Sequence, residues 1–151
     1  MALSEQRFNE LTELCRRFRI DVLTAIHGAQ SGHPGGSLSV CEILTYLYQE
    51  HMKLDANDPT NPDRDRLVLS KGHAAPMLYR NLAEKGFFPV EDMASLRKLG
   101  GLAGHPNLHC PASRSPRARS DRASPRRRAS PSRSSSTTPP PRSTPFWVTA
   151  N

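Results

Sequence analysis

Apolar residues recur every three or four positions in the first part of the chain, with charged residues between them. This spacing predicts an amphipathic helix that ends near Gly28. The apolar positions of this helix are Leu11, Leu14, Phe18, Val22, Ala25 and Ile26. Ser39 and Glu42 have the spacing of a capping box and precede a second apolar stripe, so they predict another helix.

The middle of the chain changes from polar to apolar. Residues 55–65 are polar and contain two prolines, which indicates a surface connection. The short apolar run at residues 67–70 leads directly into Lys71 and Gly72. We therefore expect a buried strand that ends at a glycine turn.

Two further helices are expected after this turn. One begins near Ala74 and ends at Gly86, and the other begins at Pro89 and stops at Gly100 and Gly101. The order of strand, glycine turn and helix is typical of α/β proteins, in which the loops after the strands carry the ligand.

Composition divides the chain into two unlike parts near residue 110. Residues 1–110 carry 12 Lys and Arg against 13 Asp and Glu, whereas residues 111–151 carry nine Arg and a single acid. The second part also holds ten Ser and eight Pro, but no Leu, Ile or Met. Such a segment buries too little apolar area to offset its ordering entropy. We expect residues 111–151 to be a disordered tail.

The cysteines and the apolar runs indicate in which cellular compartment the protein is expected. Cys15, Cys41 and Cys110 show neither metal-ligand nor redox spacing, and the first residues contain no signal segment. No run approaches the roughly 18 apolar residues that span a bilayer. We expect a cytoplasmic protein without a membrane partner.

Three histidines, His33, His73 and His105, each follow a glycine directly. Glycine lets the backbone approach a ligand closely, and an imidazole donates to an anion or moves a proton near neutral pH. Three such pairs on three loops predict one polar pocket.

The other histidines have simpler interpretations. His27 and His51 fall within helical stretches and are interpreted as surface or core residues. A zinc site formed by the glycine-linked histidines and Cys110 is a poorer alternative, because no ligand pair has the usual close spacing.

The motifs that contain the three histidines resemble those of transketolases, in particular the separately encoded N-terminal subunit of some prokaryotes. They are AQSGHPGGS at residues 29–37, DRDRLVLSKGHAAP at 63–76 and GHPN at 104–107. The resemblance covers residues 14–110. It implies an α/β architecture for residues 1–110: a partial doubly wound thiamine diphosphate-binding fold, mostly helical in the part present.

The resemblance also implies an activity and its site residues. The family transfers a two-carbon ketol unit between sugar phosphates, using thiamine diphosphate and Mg²⁺ or Ca²⁺. His73 and Gly72 would bind the cofactor's diphosphate at a helix start, where backbone amides favour an anion. His33 and His105 would be catalytic residues that orient the donor sugar and assist proton transfer. Implied partners of the parent enzyme are a transketolase C-terminal subunit and a second copy.

The tail departs from the family pattern after Pro111. Transketolases continue with a stretch like STGSLGQGL and later GDGE, which are absent here. Read one position out of frame, the codons for Phe146, Trp147 and Val148 force Leu-Gly, and the following codons permit Asp-Gly-Glu. We hypothesise that residues 111–151 are a frameshifted reading of a transketolase gene.

This departure affects the expected activity. The GDG aspartate holds the metal in the family, and the glutamate that activates the aminopyrimidine belongs to another domain. We therefore assign no metal ligand to this chain. We expect negligible cofactor binding and no turnover by the chain alone.

Two other functions are compatible with the sequence. Arginine-rich runs such as residues 124–128 could bind nucleic-acid phosphates nonspecifically, although the tail has no Gly and only one aromatic cluster. Such a tail lacks a stacking platform, and we do not expect nucleic acid to be the partner. The N-terminal part could also be an inactive dimerisation partner of a transketolase.

Overall fold

The structure is a computed structural model that describes residues 3–59 and 61–106 and the backbone of residues 146–148. Its first element, α1 (Glu5–Gly28), is the predicted amphipathic helix. The Ser4 hydroxyl caps α1 by accepting a hydrogen bond from the Arg7 amide at 3.2 Å, which satisfies one of the free donors of the first turn. The buried face follows the predicted stripe except at two positions, since Cys15 is also buried and Leu14 is only half-buried: Leu11, Cys15, Phe18, Val22, Ala25 and Ile26.

Two short helices follow α1. The first, α2 (Pro34–Leu38), was not expected from the sequence and has its proline in the first turn, where the missing N–H costs nothing. The second, α3 (Cys41–Tyr46), continues into a π-helical turn, Leu47–His51. His51 lies in this turn and His27 in α1, so both are in helical stretches as predicted.

The capping box predicted at Ser39 is not formed. Val40 is the N-cap of α3, and it makes no side-chain capping bond. The Ser39 hydroxyl instead donates to the carbonyl of Gly36 at 3.1 Å and accepts from Lys71 Nζ at 2.7 Å. The prediction was wrong because these two partners engage the hydroxyl that the helix start would have used.

The predicted buried strand is present as β1 (Leu67–Leu69). A 3₁₀ turn, Gly72–Ala74, leads directly into α4 (Ala75–Glu84), which is buried along most of its length. Gly86 follows with φ +83°, the left-handed conformation that glycine adopts readily. The strand, the glycine turn and the helix therefore occur in the predicted order.

The last predicted helix is shorter than expected. After Pro89, a 3₁₀ helix runs only from Val90 to Ser95. The chain then reverses at Arg97, which has φ +60°, and at Gly100, which has φ +78°. Apolar spacing alone did not indicate this early reversal.

One strand lies in the Arg/Ser/Pro-rich part of the chain. Phe146–Val148 forms β2, which pairs in parallel with β1 so that Leu67 faces Phe146 in the register. Disorder was predicted for residues 111–151. Apart from the three residues of β2, these residues lie outside those that the structure describes. A parallel pair among mostly helical elements agrees with the predicted partial α/β fold.

The hydrophobic core forms where α1 packs against α3, α4 and the 3₁₀ helix Val90–Ser95. Phe18, Leu44 and Leu78 are fully buried at its centre. Cys15 and Cys41 are buried free thiols, and burial raises the pKa of the Cys41 thiol to about 12. Across the described residues, no helix has the length and apolar character needed to cross a membrane.

Candidate functional site

The loops that carry His33 and His73 meet beside α2. His73 lies in the 3₁₀ turn after β1, and His33 is the residue immediately before α2. The two ring centroids are 5.6 Å apart and the rings are nearly perpendicular, at 82°. The structure therefore brings together two imidazoles that are 40 positions apart in the sequence.

His73 is seated directly on a glycine of α2. A Cβ atom at Gly36 would lie only 2.2 Å from Cδ2 of the His73 ring and 2.7 Å from Nε2. This is well inside van der Waals contact, so the ring occupies the place of the missing side chain. The absence of a side chain at Gly36 thus fixes how closely α2 approaches the turn.

His105 reaches the same region from a third loop. Its Cδ2 atom would be 3.0 Å from a Cβ atom at Gly72, the residue directly before His73. Each of the two later histidines therefore packs against a glycine of another glycine–histidine loop. The three glycine–histidine loops therefore meet: the His33 and His73 rings are neighbours, and His105 lies against the residue before His73.

Lys71 also connects the turn to α2. Its ammonium group donates to the Ser39 hydroxyl at 2.7 Å, and this hydroxyl in turn donates to the Gly36 carbonyl at 3.1 Å. The chain of two hydrogen bonds ties the start of the turn to the backbone beneath the His73 ring.

Arg97 is a residue of this region that sequence reasoning missed. Its Nη1 donates to the Ser31 hydroxyl at 3.0 Å, although the two residues are 66 positions apart. No local motif indicates such a contact. The only available signal was the pairing of two basic residues, Arg97 and Lys98, shortly before a glycine–histidine pair.

The region favours a negatively charged ligand. Lys71 and Arg97 contribute two positive charges, and His73 lies at the start of the helical run that continues through α4. The amides and dipole of such a helix start attract anions. His33 and His105 are exposed, whereas His73 is half-buried.

The charges and the helix start fit the diphosphate of the implied thiamine diphosphate better than they fit a metal ion. The half-buried imidazole, the ammonium group and the helix start suit a diphosphate. Among residues 3–59 and 61–106, no group of three or more His, Cys, Asp or Glu side chains could hold a metal ion. No role for a metal is derived from these residues.

Comparison with known sequences shows which family this chain resembles. Residues 11–113 match the family described as transketolase, thiamine diphosphate binding domain. Transketolase of Mus musculus is 45% identical over 103 residues, which cover 68% of this chain and 16% of the relative. The 6-deoxy-6-sulfo-D-fructose transketolase subunit SqwG of a Clostridium species is 55% identical over 71 residues, or 47% of this chain and 26% of the relative.

Solved structures give the same result. A transketolase from Pichia stipitis in complex with sedoheptulose 7-phosphate superposes with a TM-score of 0.62 at 31% identity, over 68% of this chain and 16% of that one. Transketolase from Campylobacter jejuni gives 0.60 at 32% identity, over 72% and 16%. The chain thus spans about a sixth of these structures. It belongs to the transketolase family, within the thiamine diphosphate-binding domain.

Proposed function

We propose that this chain forms one wall of the thiamine diphosphate site of a transketolase that transfers a two-carbon ketol unit between sugar phosphates. The observation that carries the proposal is the meeting of the three glycine–histidine loops, with the His33 and His73 rings 5.6 Å apart. The family match over residues 11–113 supports this function over nucleic-acid binding.

His73 and Gly72 would hold the diphosphate of the cofactor. The imidazole can donate a hydrogen bond to a phosphate oxygen, and Gly72 leaves room for a close approach of the backbone. Lys71, already tied to Ser39, adds positive charge beside this position. When bound, thiamine diphosphate would supply the carbon nucleophile for carbon–carbon bond cleavage and formation.

His33 and His105 would act on the sugar. Both side chains are exposed beside His73, so they can reach a ligand that lies over the turn. Their imidazoles can orient hydroxyl groups of the donor and accept or return a proton at those oxygens. Sugar phosphates are the substrate class that we propose, in keeping with the sugar phosphate held by the Pichia stipitis relative.

The exposure of His33 and His105 also indicates that other polypeptide encloses the site. We propose that a second transketolase copy or a transketolase C-terminal subunit supplies the opposite wall and the metal ligands. The chain by itself would then bind the cofactor weakly and would not turn over.

Two experiments test this function. In the first, thiamine diphosphate is titrated into the purified chain by calorimetry with and without Mg²⁺, and we expect no measurable binding. Metal-dependent binding would overturn the claim that the opposite wall is required.

In the second experiment, residues 11–106 replace the matching segment of the complete Campylobacter jejuni transketolase. His73→Ala in this chimera should weaken cofactor binding at least about tenfold, the size expected when a charge-assisted hydrogen bond is lost. His33→Ala or His105→Ala should lower kcat about 10²-fold with little change in cofactor affinity. His27→Ala is the matched control, and effects no larger than this control would refute the assigned roles.

A further inference from the structure

The turn that contains Arg97 is anchored firmly in the core. Leu96 and Leu102 are 1% and 0% exposed on either side of it. The Arg97 amide donates to the Leu102 carbonyl at 2.6 Å and closes the turn. Arg97 itself has φ +60°, a left-handed conformation that non-glycine residues rarely adopt. These contacts fix the backbone position from which the Arg97 side chain extends.

The guanidinium of Arg97 contacts two different loops. On one side, Nη1 donates to the Ser31 hydroxyl at 3.0 Å, and Ser31 lies two residues before His33. On the other side, a Cβ atom at Gly104 would be 2.8 Å from Nε and 2.9 Å from Cζ, so the guanidinium lies directly against this glycine. Gly104 immediately precedes His105.

We infer that Arg97 is a positioning residue that sets His33 relative to His105 by joining the loops that carry them. The inference deepens the proposed function and rests on it, because it names the group that fixes the spacing of two side chains flanking the substrate. A guanidinium suits this task, since it offers a planar face to the glycine and several donors in a rigid fork.

His73 is held by different contacts. Its ring is seated on Gly36, and the bonds from Lys71 to Ser39 and from Ser39 to Gly36 secure that seat. Loss of Arg97 should therefore disturb His33 and His105 and leave the His73 ring on Gly36. This separation distinguishes a positioning role from a general effect on folding.

The test uses the full 151-residue chain without any ligand, with the imidazole NMR signals of the assigned histidines as the readout. Arg97→Ala should shift the signals of His33 and His105 well beyond the shifts seen in Lys98→Ala, an exposed neighbouring cation. The signal of His27 should stay within the range of that control, and the signal of His73 should shift less than those of His33 and His105, since its ring stays on Gly36 but lies 5.6 Å from the His33 ring. Arg97→Lys should restore the His33 signal in part, because an ammonium group can still donate to Ser31.

A double-mutant cycle isolates the connection between the loops. Ser31→Ala should shift the His105 signal in the wild-type background, although Ser31 and His105 lie on different loops. In the Arg97→Ala background the same substitution should leave His105 unchanged. A shift of His105 that persists without Arg97 would overturn the inference.

Two other outcomes would also overturn it. One is that Arg97→Ala leaves the His33 and His105 signals within the Lys98→Ala range, and the other is that His73 shifts as much as they do. If Arg97→Ala does not fold, Arg97→Lys takes its place in the cycle, and the predicted loss of coupling to His105 is then partial. Because no cofactor is present, a failure here is separate from a failure of the cofactor-binding proposal.

Discussion

Two neighbouring glycines of α2 differ in what an added methyl group would meet. A Cβ atom at Gly36 would collide with the His73 ring at 2.2 Å, whereas nothing lies within 4 Å of one at Gly35. Both residues have helical neighbours, so the two positions have similar backbone requirements. They form a matched pair for testing how tightly the central imidazole is held.

Gly36→Ala is expected to push the His73 ring out of its seat. The displaced group is the end of a side chain, so the free energy of unfolding should change by less than about 1 kcal/mol. Gly35→Ala should leave His73 in place and stabilise the chain by up to about 1 kcal/mol, since alanine favours a helix more than glycine does. Imidazole NMR shifts and urea unfolding measure the two effects. Equal His73 shifts in both variants would contradict the assigned contact.

The elements α1 and α4 are joined through a buried arginine. Arg80 is 3% exposed; its Nε donates to Asp21 at 2.6 Å and its Nη1 to Glu84 at 2.9 Å. Its Cζ atom also lies 4.2 Å from the centroid of the Phe18 ring, the distance of a cation–π contact. One side chain thus links a carboxylate and a ring of α1 to the last turn of α4.

Arg80→Ala is expected to lower the free energy of unfolding by about 2–4 kcal/mol, because it leaves a cavity and removes the partner of two carboxylates. Arg16→Ala is the control. Arg16 pairs with Glu13 on the exposed face of α1, where solvent screens the charges, so its loss should change the free energy of unfolding little. Chemical denaturation of both variants measures the difference. Similar losses would show that the buried pairs contribute little.

The elements that the sequence predicted are those set by local patterning. The stripe of α1, the strand β1 and the glycine end of α4 follow from apolar period and from Gly86. The histidine cluster was predictable because each histidine carries its own glycine.

Other features depend on contacts between distant segments, and the apolar pattern does not contain them. The hydroxyl of Ser39 is engaged by Lys71, and Arg97 reaches Ser31 across 66 positions. The short helix α2 was also not predicted, although it has a local signal: Pro34 lies in its first turn, where proline often marks a helix start.

The whole molecule combines a family domain with a chemically different segment. The family match ends at residue 113, close to the last glycine, Gly104, and the last leucine, Leu108, of the sequence. The frameshift hypothesis for residues 111–151 concerns mostly residues outside those that the structure describes, and it stays a prediction.

The nucleotide sequence provides its direct test. Read one position out of frame, the codons of residues 111–151 should encode a glycine-rich stretch followed by GDGE. The same shift applied to codons 1–110 is the control and should give no transketolase motif. If the shifted tail lacks both motifs, the Arg/Ser/Pro-rich segment belongs to the gene as it stands.

The pairing of β1 with β2 has a consequence for the order of folding. Leu67 and Phe146 are partners that lie 79 positions apart along the chain. Joining such distant segments closes a very large loop, and the entropic penalty slows the encounter more than it weakens the final ladder. Among the described residues, the hydrophobic core cluster spans Cys15 to Leu102, so it can form before β2 arrives. β2 would then pair with the edge of β1 in a late step of folding.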